Sequence, residues 1–323
     1  MNIRPRRNRK SAAVRNLVEE TNLGVQHLIY PMFLKDGSNI KEEISSLPGN
    51  YRWSIDLLLK EIEACINLGI HTYDLFPAVD DSLKDTVASY SYSEDNFYLK
   101  AIQKIKETFP DITIMSDVAM DPYSSDGHDG LVEDGKIVND KTLPILLKMS
   151  IAQAQAGVDI IGPSDMMDGR IGYIREGLDQ KGYSNTSIMS YTAKYASAFY
   201  GPFRDALSSA PKHGDKKTYQ MNPANKREAL LEAQLDFEEG ADMIMVKPAL
   251  CYLDVIQTLR ESMPIPITAY NVSGECAMIH AASQKGWIDY EPAVAELLLS
   301  IRRAGADGIL TYFAKDFAKF SKD

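Results

Sequence analysis

Residues 241–249 read ADMIMVKPA, an apolar run that follows Gly240 and carries a lysine, Lys247, near its end. Seven further runs of similar length lie at 27–34, 70–79, 112–120, 157–164, 186–194, 265–273 and 306–315. Several of them are too continuously apolar for half-exposed antiparallel strands, and the pattern is typical of parallel strands buried on both faces. The sequence therefore predicts eight buried parallel strands.

Amphipathic segments separate most of these runs and predict helices, the clearest of which are 54–67, 144–155 and 225–239. Three strands are approached through the same pattern, a glycine, then alanine or valine, then an aspartate, at 157–159, 240–242 and 305–307. Eight strand–helix units of regular spacing favour an α/β fold, a closed (β/α)8 TIM barrel. The alternative is an open doubly wound sheet, and the lack of a Gly-rich phosphate-binding motif after any strand disfavours it.

The domain organisation follows from where these units begin. We assign residues 24–323 to a single barrel domain and residues 1–23 to an extended N-terminal arm. The polar segment 121–143 is predicted as a long insertion after the third strand. Loops at that end of a barrel strand lie over the active face of such barrels.

The N-terminal arm is basic in an otherwise acidic chain. Residues 1–10 carry five arginine or lysine side chains and no acid, whereas the whole chain has a formal net charge of −10. The acidic body argues against general nucleic-acid binding. The arm itself is compatible with a solvated tail, with a segment that binds an anion or a nucleic acid, or with one that contacts the acidic surface of a sister subunit.

The compartment is suggested by the three cysteines and by the hydropathy. The cysteines lack metal-ligand spacing, and their odd number argues against a disulfide framework, so a reducing environment fits best. The chain lacks the long uncharged apolar run of a membrane helix and the apolar segment of a secretory signal. We therefore expect a cytoplasmic protein that does not bind a membrane.

Two lysines stand apart because each ends an apolar strand, Lys194 the fifth and Lys247 the sixth. In a barrel, side chains at those positions emerge at the catalytic mouth, and adjacent strands are only about 4.7–4.9 Å apart. Burial and a neighbouring ammonium both lower the pKa of an amine. A neutral lysine attacks a carbonyl and forms a Schiff base, so two such lysines predict two carbonyl substrates, each held covalently.

Other roles for these lysines stay open at this point. A single strand-end lysine is as compatible with a structural salt bridge, or with binding of a phosphate or carboxylate. If only one of the two is reactive, the chain is an aldolase-like enzyme of the same barrel class. A catalytically inactive binding or assembly protein is a third possibility.

Several side chains near the two strand ends are candidates for substrate contacts. Residues 195–204 (YASAFYGPFR) predict a lid that carries Tyr200, Phe203 and Arg204 and excludes water when it closes. The cations of that loop and of the following basic stretch, which includes Lys216, suggest a substrate that bears a carboxylate. Other candidates follow from strand-end positions: Asp117 for proton transfer or for orienting an ammonium, and the hydroxyls of Ser273 and Tyr312 for a second carboxylate.

The motifs around these residues carry a family resemblance. They are 4–7 (RPRR), 116–118 (SDV), 162–170 (GPSDMMDGR), 191–197 (YTAKYAS), 240–249 (GADMIMVKPA), 270–275 (YNVSGE) and 303–307 (RAGAD). The set resembles the porphobilinogen synthase, or 5-aminolevulinate dehydratase, family and covers essentially the whole chain. The resemblance implies condensation of two 5-aminolevulinates into porphobilinogen with loss of two waters, in tetrapyrrole synthesis. It also implies a homo-octamer in which the N-terminal arms embrace neighbouring subunits.

The resemblance assigns a role to each candidate side chain. It implies that Lys247 binds the substrate that gives the propionate side of the product, and Lys194 the substrate that gives the acetate side. The acetate-side substrate is then held by Arg204, Lys216 and Gln220, and the propionate-side carboxylate by Ser273 and Tyr312.

The metal content is where the chain departs from one branch of that family. Zinc-dependent members carry three cysteines at positions that match Ala119, Asp121 and Asp129 here. Alanine and two carboxylates make a poor zinc site, so we expect no active-site Zn²⁺. His128 in the same loop is more often a structural residue than a ligand. Glu232 matches an allosteric magnesium ligand of the family, so the expected cofactor is Mg²⁺, and no organic cofactor is expected.

Overall fold

The fold was taken from a computed structural model, which describes residues 1–207, 209 and 211–321, and its core is a closed barrel of eight parallel strands. The strands are β1 (Leu28–Lys35), β2 (Thr72–Ala78), β3 (Thr113–Val118), β4 (Ile160–Pro163), β5 (Ser187–Lys194), β6 (Met243–Lys247), β7 (Ile267–Asn271) and β8 (Gly308–Thr311). Each strand pairs with the next, and β8 pairs with β1. The predicted TIM barrel is confirmed, and the pairing of β8 with β1 excludes an open sheet.

Helices surround the barrel and connect its strands. The α-helices are α1 (Ala12–Leu17), α2 (Ile55–Ile66), α3 (Phe97–Thr108), α4 (Asn139–Ala156), α5 (Arg170–Gln180), α6 (Gly201–Leu207), α7 (Arg227–Glu238), α8 (Leu253–Ser262), α9 (Ser273–Gln284), α10 (Tyr290–Ala304) and α11 (Ala314–Phe320). Short 3-10 helices lie at Pro5–Arg9, Val25–His27, Asp81–Leu83, Ser89–Tyr92, Ala198–Tyr200 and Leu250–Tyr252. In the described residues no helix is long and apolar enough to cross a membrane.

Two small β-hairpins lie at the mouth of the barrel. The first joins Lys41–Glu43 to Tyr51–Trp53, and the second of these strands pairs with β1. The other joins Val132–Glu133 to Lys136–Ile137 inside the segment predicted as a loop at 121–143. That segment also contains the start of α4, which continues through Pro144. Pro144 removes one helical hydrogen bond, but burial of Ile145, Leu146 and Met149 holds the helix together around it.

The repeated glycine–aspartate pattern has one structural role at the N-terminal ends of the strands. The glycines at 157, 240 and 305 have φ of 101°, 101° and 122°, which is the conformation that ends a helix. The following aspartates each accept a backbone N–H from the preceding barrel strand: Asp159 from Ile114 at 2.7 Å, Asp242 from Ile188 at 2.8 Å, and Asp307 from Ile267 at 3.0 Å. The pattern therefore fastens neighbouring strands at the end of the barrel opposite the lysines.

The N-terminal arm differs from the extended segment that we expected. Residues 1–23 contain a 3-10 helix and α1, whose N-cap Ser11 accepts a hydrogen bond from the Val14 amide. The arm has no buried residue, and Leu17 is 83% exposed. A short helix that exposes its apolar side chains in this way buries little apolar surface against the described residues of its own barrel.

Candidate active site

The two strand-end lysines are direct neighbours. Lys194 and Lys247 are register partners on the parallel strands β5 and β6. They become partners because β5 contains one extra residue: Ile244 is opposite Ser190, but Val246 is opposite Ala193. Without this bulge Lys247 would face Ala193, so the bulge is what brings the two amines to one place.

Lys247 lies in an aromatic cage. Its Nζ is 4.4 Å from the ring centroid of Tyr270, 4.9 Å from Phe203, 5.0 Å from Tyr191 and 5.5 Å from Tyr200. Within the described residues the amine has neither a hydrogen bond nor an ion pair. Burial, assisted by the charge of Lys194, lowers the pKa of Lys247 to about 7. A substantial fraction of this amine is therefore neutral and nucleophilic near neutral pH.

Lys194 has the opposite environment. Its Nζ donates a hydrogen bond to Asp129 Oδ2 at 2.9 Å and another to the carbonyl oxygen of Ser164. Lys216 Nζ contacts the other oxygen of Asp129 and lies 3.1 Å from Asp121 Oδ2. Burial opposes ionisation of Asp129, but the two ammonium groups outweigh it and lower the pKa of this carboxyl to about 2.

The three side chains that stand at the zinc-cysteine positions of this loop are not the ligands that zinc prefers. The positions that match the zinc cysteines hold Ala119, Asp121 and Asp129. The carboxylate oxygens of both aspartates contact lysine amines, those of Lys194 and Lys216. Zinc in a structural or catalytic site prefers thiolate and imidazole ligands. In the part of the chain that the structure describes, no group of three or more His, Cys, Asp or Glu side chains is placed to hold a metal ion. The ammonium groups of Lys194 on β5 and of Lys216 place positive charge against these carboxylates.

His128 is held as a structural residue in the same loop. Its Nδ1 lies 3.1 Å from the Tyr219 hydroxyl and its Nε2 lies 2.8 Å from the His213 carbonyl oxygen. Because both ring nitrogens have partners, neither is free to bind a metal. His128 therefore ties the loop after β3 to the loop that contains Lys216.

Asp117 lies at the end of β3, beside the two lysines. Burial, together with the negative charge of Asp121, raises the pKa of Asp117 to about 7. A carboxyl group with that pKa exchanges a proton readily near neutral pH. Its position and chemistry agree with the predicted role in proton transfer.

Asp74 is a second buried carboxyl that the sequence reasoning missed. It lies in the middle of β2, where one oxygen is 3.3 Å from the Tyr191 hydroxyl and the other has no hydrogen-bond partner among the described residues. Burial and the charge of Asp117 raise the pKa of Asp74 well above its usual range. An acid inside an apolar run, at 70–79, is the sequence signal that could have identified it.

The predicted lid lies over the lysines. The Tyr200 hydroxyl donates hydrogen bonds to the carbonyl oxygens of Tyr195 and Lys247, at 2.8 and 3.1 Å. Phe203 packs edge-on against Phe76, with ring centroids 5.0 Å apart. These contacts fix the two aromatic side chains over the mouth of the barrel.

The first residues of α9 contact the lid. The Phe203 amide donates to Ser273 Oγ at 3.0 Å, and a Cβ on Gly274 would meet the Phe199 carbonyl oxygen at 2.5 Å. Only glycine therefore allows the lid backbone to approach this closely. Tyr312, the other predicted carboxylate ligand, shares a 2.8 Å hydrogen bond with the Tyr270 hydroxyl, next to Lys247.

The remaining predicted substrate contacts lie on both sides of the lysines. Arg204 is on the lid and, within the described residues, forms no ion pair, so its guanidinium is available to an incoming carboxylate. Lys216 is buried against Asp121 and Asp129. Gln220 follows one turn later and lines a cavity of about 1080 Å³.

Glu232 lies on α7 and lines the same cavity as Gln220. Burial raises the pKa of Glu232 to about 7, and the Arg170 guanidinium opposes this increase. The nearby side chains in the cavity wall, Asp168, Asn139 and Glu228, offer only oxygen or amide donors. Such a donor set suits a hydrated hard cation rather than zinc.

A further residue that the sequence reasoning missed orders the ends of β6 and β7. Glu275 accepts hydrogen bonds from the amides of Leu250 and Val272, at 2.8 and 3.0 Å, and from Asn271 Nδ2 at 2.9 Å. Leu250 follows Lys247 by three residues, so Glu275 fixes the chain immediately after that lysine. The first residues of α9 thus hold both the lid and the strand that carries the amine.

The chain matches known proteins over almost its whole length. A sequence model of the family described as delta-aminolevulinic acid dehydratase matches residues 2–320. This chain belongs to that family. The enzyme of that name from Chlamydia pneumoniae is 56% identical over 311 residues, which cover 96% of this chain and 94% of the relative. The Bradyrhizobium diazoefficiens relative is 52% identical over 318 residues, 98% of this chain and 90% of its own.

A solved structure from the delta-aminolevulinic acid dehydratase family has the same fold throughout. The Toxoplasma gondii ME49 enzyme, crystallised with its reaction product porphobilinogen, matches with a TM-score of 0.97 and 53% identity. The match covers 99% of this chain and 92% of that structure. The family resemblance inferred from the motifs is confirmed.

Proposed function

We propose that this protein is a porphobilinogen synthase, which joins two 5-aminolevulinate molecules and releases two waters. The observation that carries the proposal is the pairing of Lys194 and Lys247 on adjacent strands, with only one of them ion-paired to a carboxylate. Two covalent sites that differ in reactivity suit a reaction between two copies of one ketone. Membership of the delta-aminolevulinic acid dehydratase family supports the same conclusion.

Lys247 acts as the first nucleophile and binds the propionate-side substrate. Its buried amine attacks the ketone carbon, the ketone oxygen leaves as water, and a Schiff base remains. Burial among aromatic rings favours the neutral amine that this step needs. The hydroxyls of Ser273 and Tyr312 lie near the cage and hold the substrate carboxylate.

Lys194 forms the second Schiff base, with the acetate-side substrate, and releases the second water. Its contact with Asp129 has to loosen first, and Lys216 competes for the same carboxylate. New carbon–carbon and carbon–nitrogen bonds then join the substrates, and both lysine amines are set free. Asp117 takes or gives protons in these steps, since its pKa of about 7 matches that task.

The lid completes the acetate side of the site. Arg204 pairs with the carboxylate of the second substrate, together with Lys216 and Gln220. Tyr200 and Phe203 close over the Schiff bases and keep water from hydrolysing them.

We place this chain in the branch of the family without active-site zinc. The support is the loop at 119–129, where two lysine amines pair with the carboxylates. Mg²⁺ fits the oxygen-lined wall around Glu232, because magnesium is commonly held by one or two carboxylates and keeps several of its waters. When bound there it supplies positive charge to an acidic cluster outside the reacting atoms. No organic cofactor is needed for the chemistry.

We propose a homo-octamer in which the basic arm, residues 1–23, wraps a neighbouring subunit. The support is the exposure of the arm's apolar side chains, such as Leu17, and the acidic net charge of the chain. We also propose a cytoplasmic location, which suits the free thiols of Cys65, Cys251 and Cys276.

The proposed function is tested by incubation with 5-aminolevulinate, with and without magnesium, followed by assay for porphobilinogen. Borohydride added during turnover should reduce the Schiff bases and leave mass adducts on Lys247 and Lys194. Product without an adduct on either lysine would contradict the covalent mechanism. Turnover of an aldehyde acceptor that survives Lys194→Ala would instead indicate a single-lysine aldolase.

A further inference from the structure

Two contacts hold the last part of the lid and the rest of helix α6, and only one of them lies inside the active site. Inside the site, the Phe203 amide donates to Ser273 Oγ. Beyond the site, the last turn of helix α6, which is described as far as Leu207, presents the carbonyl groups of Asp205 and Ala206. A group that donates hydrogen bonds to those carbonyl oxygens favours the closed position of the lid.

Arg52 satisfies them from a hairpin that is about 150 residues away in sequence. Its Nε donates to the Ala206 carbonyl oxygen at 2.6 Å, and one terminal nitrogen donates to the Asp205 carbonyl oxygen at 2.6 Å. A cation at the C-terminus of a helix also interacts favourably with the helix dipole. The planar guanidinium provides both parallel donors, which a lysine does not.

The Arg52 side chain is itself held in position. Its remaining terminal nitrogen donates to Glu42 Oε1 at 2.6 Å, and the other oxygen of Glu42 lies 2.5 Å from Lys35 Nζ. Lys35 is the last residue of β1, and the strand that carries Arg52 pairs with β1. The chain Lys35–Glu42–Arg52 thus connects the rim of the barrel to the end of the lid.

The surroundings leave room for the lid to move when this connection breaks. Arg52 and Leu207 line a cavity of about 500 Å³. The side chain of Arg52 is 15% exposed, so its hydrogen bonds are partly shielded from water. Charge-assisted hydrogen bonds in such a place are stronger than neutral ones.

We propose that Arg52 is a latch for the lid: by holding the carbonyls of Asp205 and Ala206 it sets the fraction of molecules in which α6 is closed. Arg52 is a positioning residue, since it contacts neither Lys194 nor Lys247. The inference rests on the proposed function, because closure matters there for placing Phe203 and Arg204 over the substrates. At saturating substrate, binding keeps the lid closed even when the latch is weakened, so kcat changes little. Weakening of the latch therefore raises KM.

The test compares Arg52→Ala with Arg175→Ala, a matched control. Arg175 likewise contacts one carboxylate, Asp179, and two carbonyl oxygens, those of Thr186 and Tyr183, but it lies next to the start of β5. We measure KM and kcat with 5-aminolevulinate, hydrogen–deuterium exchange of peptides that cover α6, and the melting temperature. Arg52→Lys and Glu42→Gln serve as milder variants in case Arg52→Ala does not fold.

We expect Arg52→Ala to raise KM about tenfold, to change kcat by less than about twofold, and to speed exchange in α6 several-fold. Arg52→Lys and Glu42→Gln should show intermediate effects, whereas Arg175→Ala should lower only the melting temperature. Folded Arg52 variants whose KM and lid exchange match those of Arg175→Ala would overturn the latch. If the wild-type protein makes no porphobilinogen, the proposed function fails, and the exchange measurement still decides whether Arg52 holds the lid.

Discussion

The two ends of the barrel carry the same types of side chain, lysine and aspartate, but in opposite environments. At the N-terminal end, Asp159 accepts a backbone amide and pairs with Lys106 at 3.0 Å, and Asp307 pairs with Arg260 at 2.9 Å. At the C-terminal end, Lys247 has no carboxylate partner among the described residues, and Asp74, in the middle of β2, has an oxygen without a hydrogen bond among them. Ion pairs fasten the strands at the N-terminal end, whereas Lys247 at the other end has no ion pair among the described residues and retains its reactivity.

The difference teaches that residue type alone does not distinguish a structural lysine from a catalytic one. Lys106 also reaches the carbonyl oxygens of Pro110 and Ile112, so its ammonium is fully used. Lys247 is surrounded by rings, which stabilise a cation only weakly compared with an ion pair and exclude water. The number of polar partners, which a structure shows and a sequence does not, separates the two.

The largest effect is expected from truncating the unpaired amine. Lys247→Ala should lower kcat/KM by more than about a thousandfold, since the first Schiff base cannot form. Porphobilinogen formation and the melting temperature are measured together, with Lys106→Ala as the comparison from the other end. A Lys247→Ala protein that retains even one-tenth of the activity would refute the role of this lysine.

A smaller effect, of a different kind, is expected at the N-terminal end. Asp242→Ala leaves the buried Ile188 amide without its acceptor and should lower the free energy of unfolding by about 1–3 kcal/mol. The kcat/KM of the folded fraction should stay unchanged. Denaturant unfolding and kinetics check this, with Asp242→Asn as a control that keeps an oxygen acceptor. Loss of activity without loss of stability would show that the two ends are not separable in function.

The pH dependence of trapping sharpens the contrast between Lys247 and its surroundings. Since the pKa of Lys247 is lowered to about 7, its neutral fraction, and with it the rate of borohydride trapping, should rise as pH increases through 7. Lys194→Met removes a positive charge and should move the midpoint to higher pH. Asp117→Asn removes a negative charge and should move it to lower pH. A midpoint that neither variant shifts would rule out electrostatic coupling among the three groups.

The smallest effect is expected from zinc removal. A zinc-selective chelator should change activity by less than about twofold, because lysine amines rather than a thiolate-bound metal provide the charge around Asp129. Added Mg²⁺ should raise activity, and Glu232→Gln should reduce that response. Activity that is lost on chelation and restored by zinc alone would show that this loop holds zinc after all.

The sequence predicted the barrel, its eight strands and the two lysines because these features are local. An apolar run, a glycine at a helix end and a lysine at a strand end are each visible within about ten residues. The contacts of Asp129, Arg52 and Glu275 were beyond reach, since their partners are distant in the chain: Lys194, Ala206 and Leu250. The predicted helix 144–155 began too late, at Pro144, because burial of the apolar side chains outweighed the local effect of the proline and the helix begins at Asn139.

The bulge in β5 has a consequence for how this enzyme can change by mutation. Ser190 contacts Asp236 on α7, so it faces away from the barrel interior, and strict alternation would send Lys194 to that same outer side. The one extra residue between Ser190 and Ala193 reverses the parity. A straight strand that keeps all of these residues would turn Lys194 outward, whereas deletion of a single codon at Tyr191 or Thr192 would remove the bulge and leave Lys194 facing inward beside Lys247. The two-amine site therefore depends on how β5 accommodates its extra residue as well as on the two lysines.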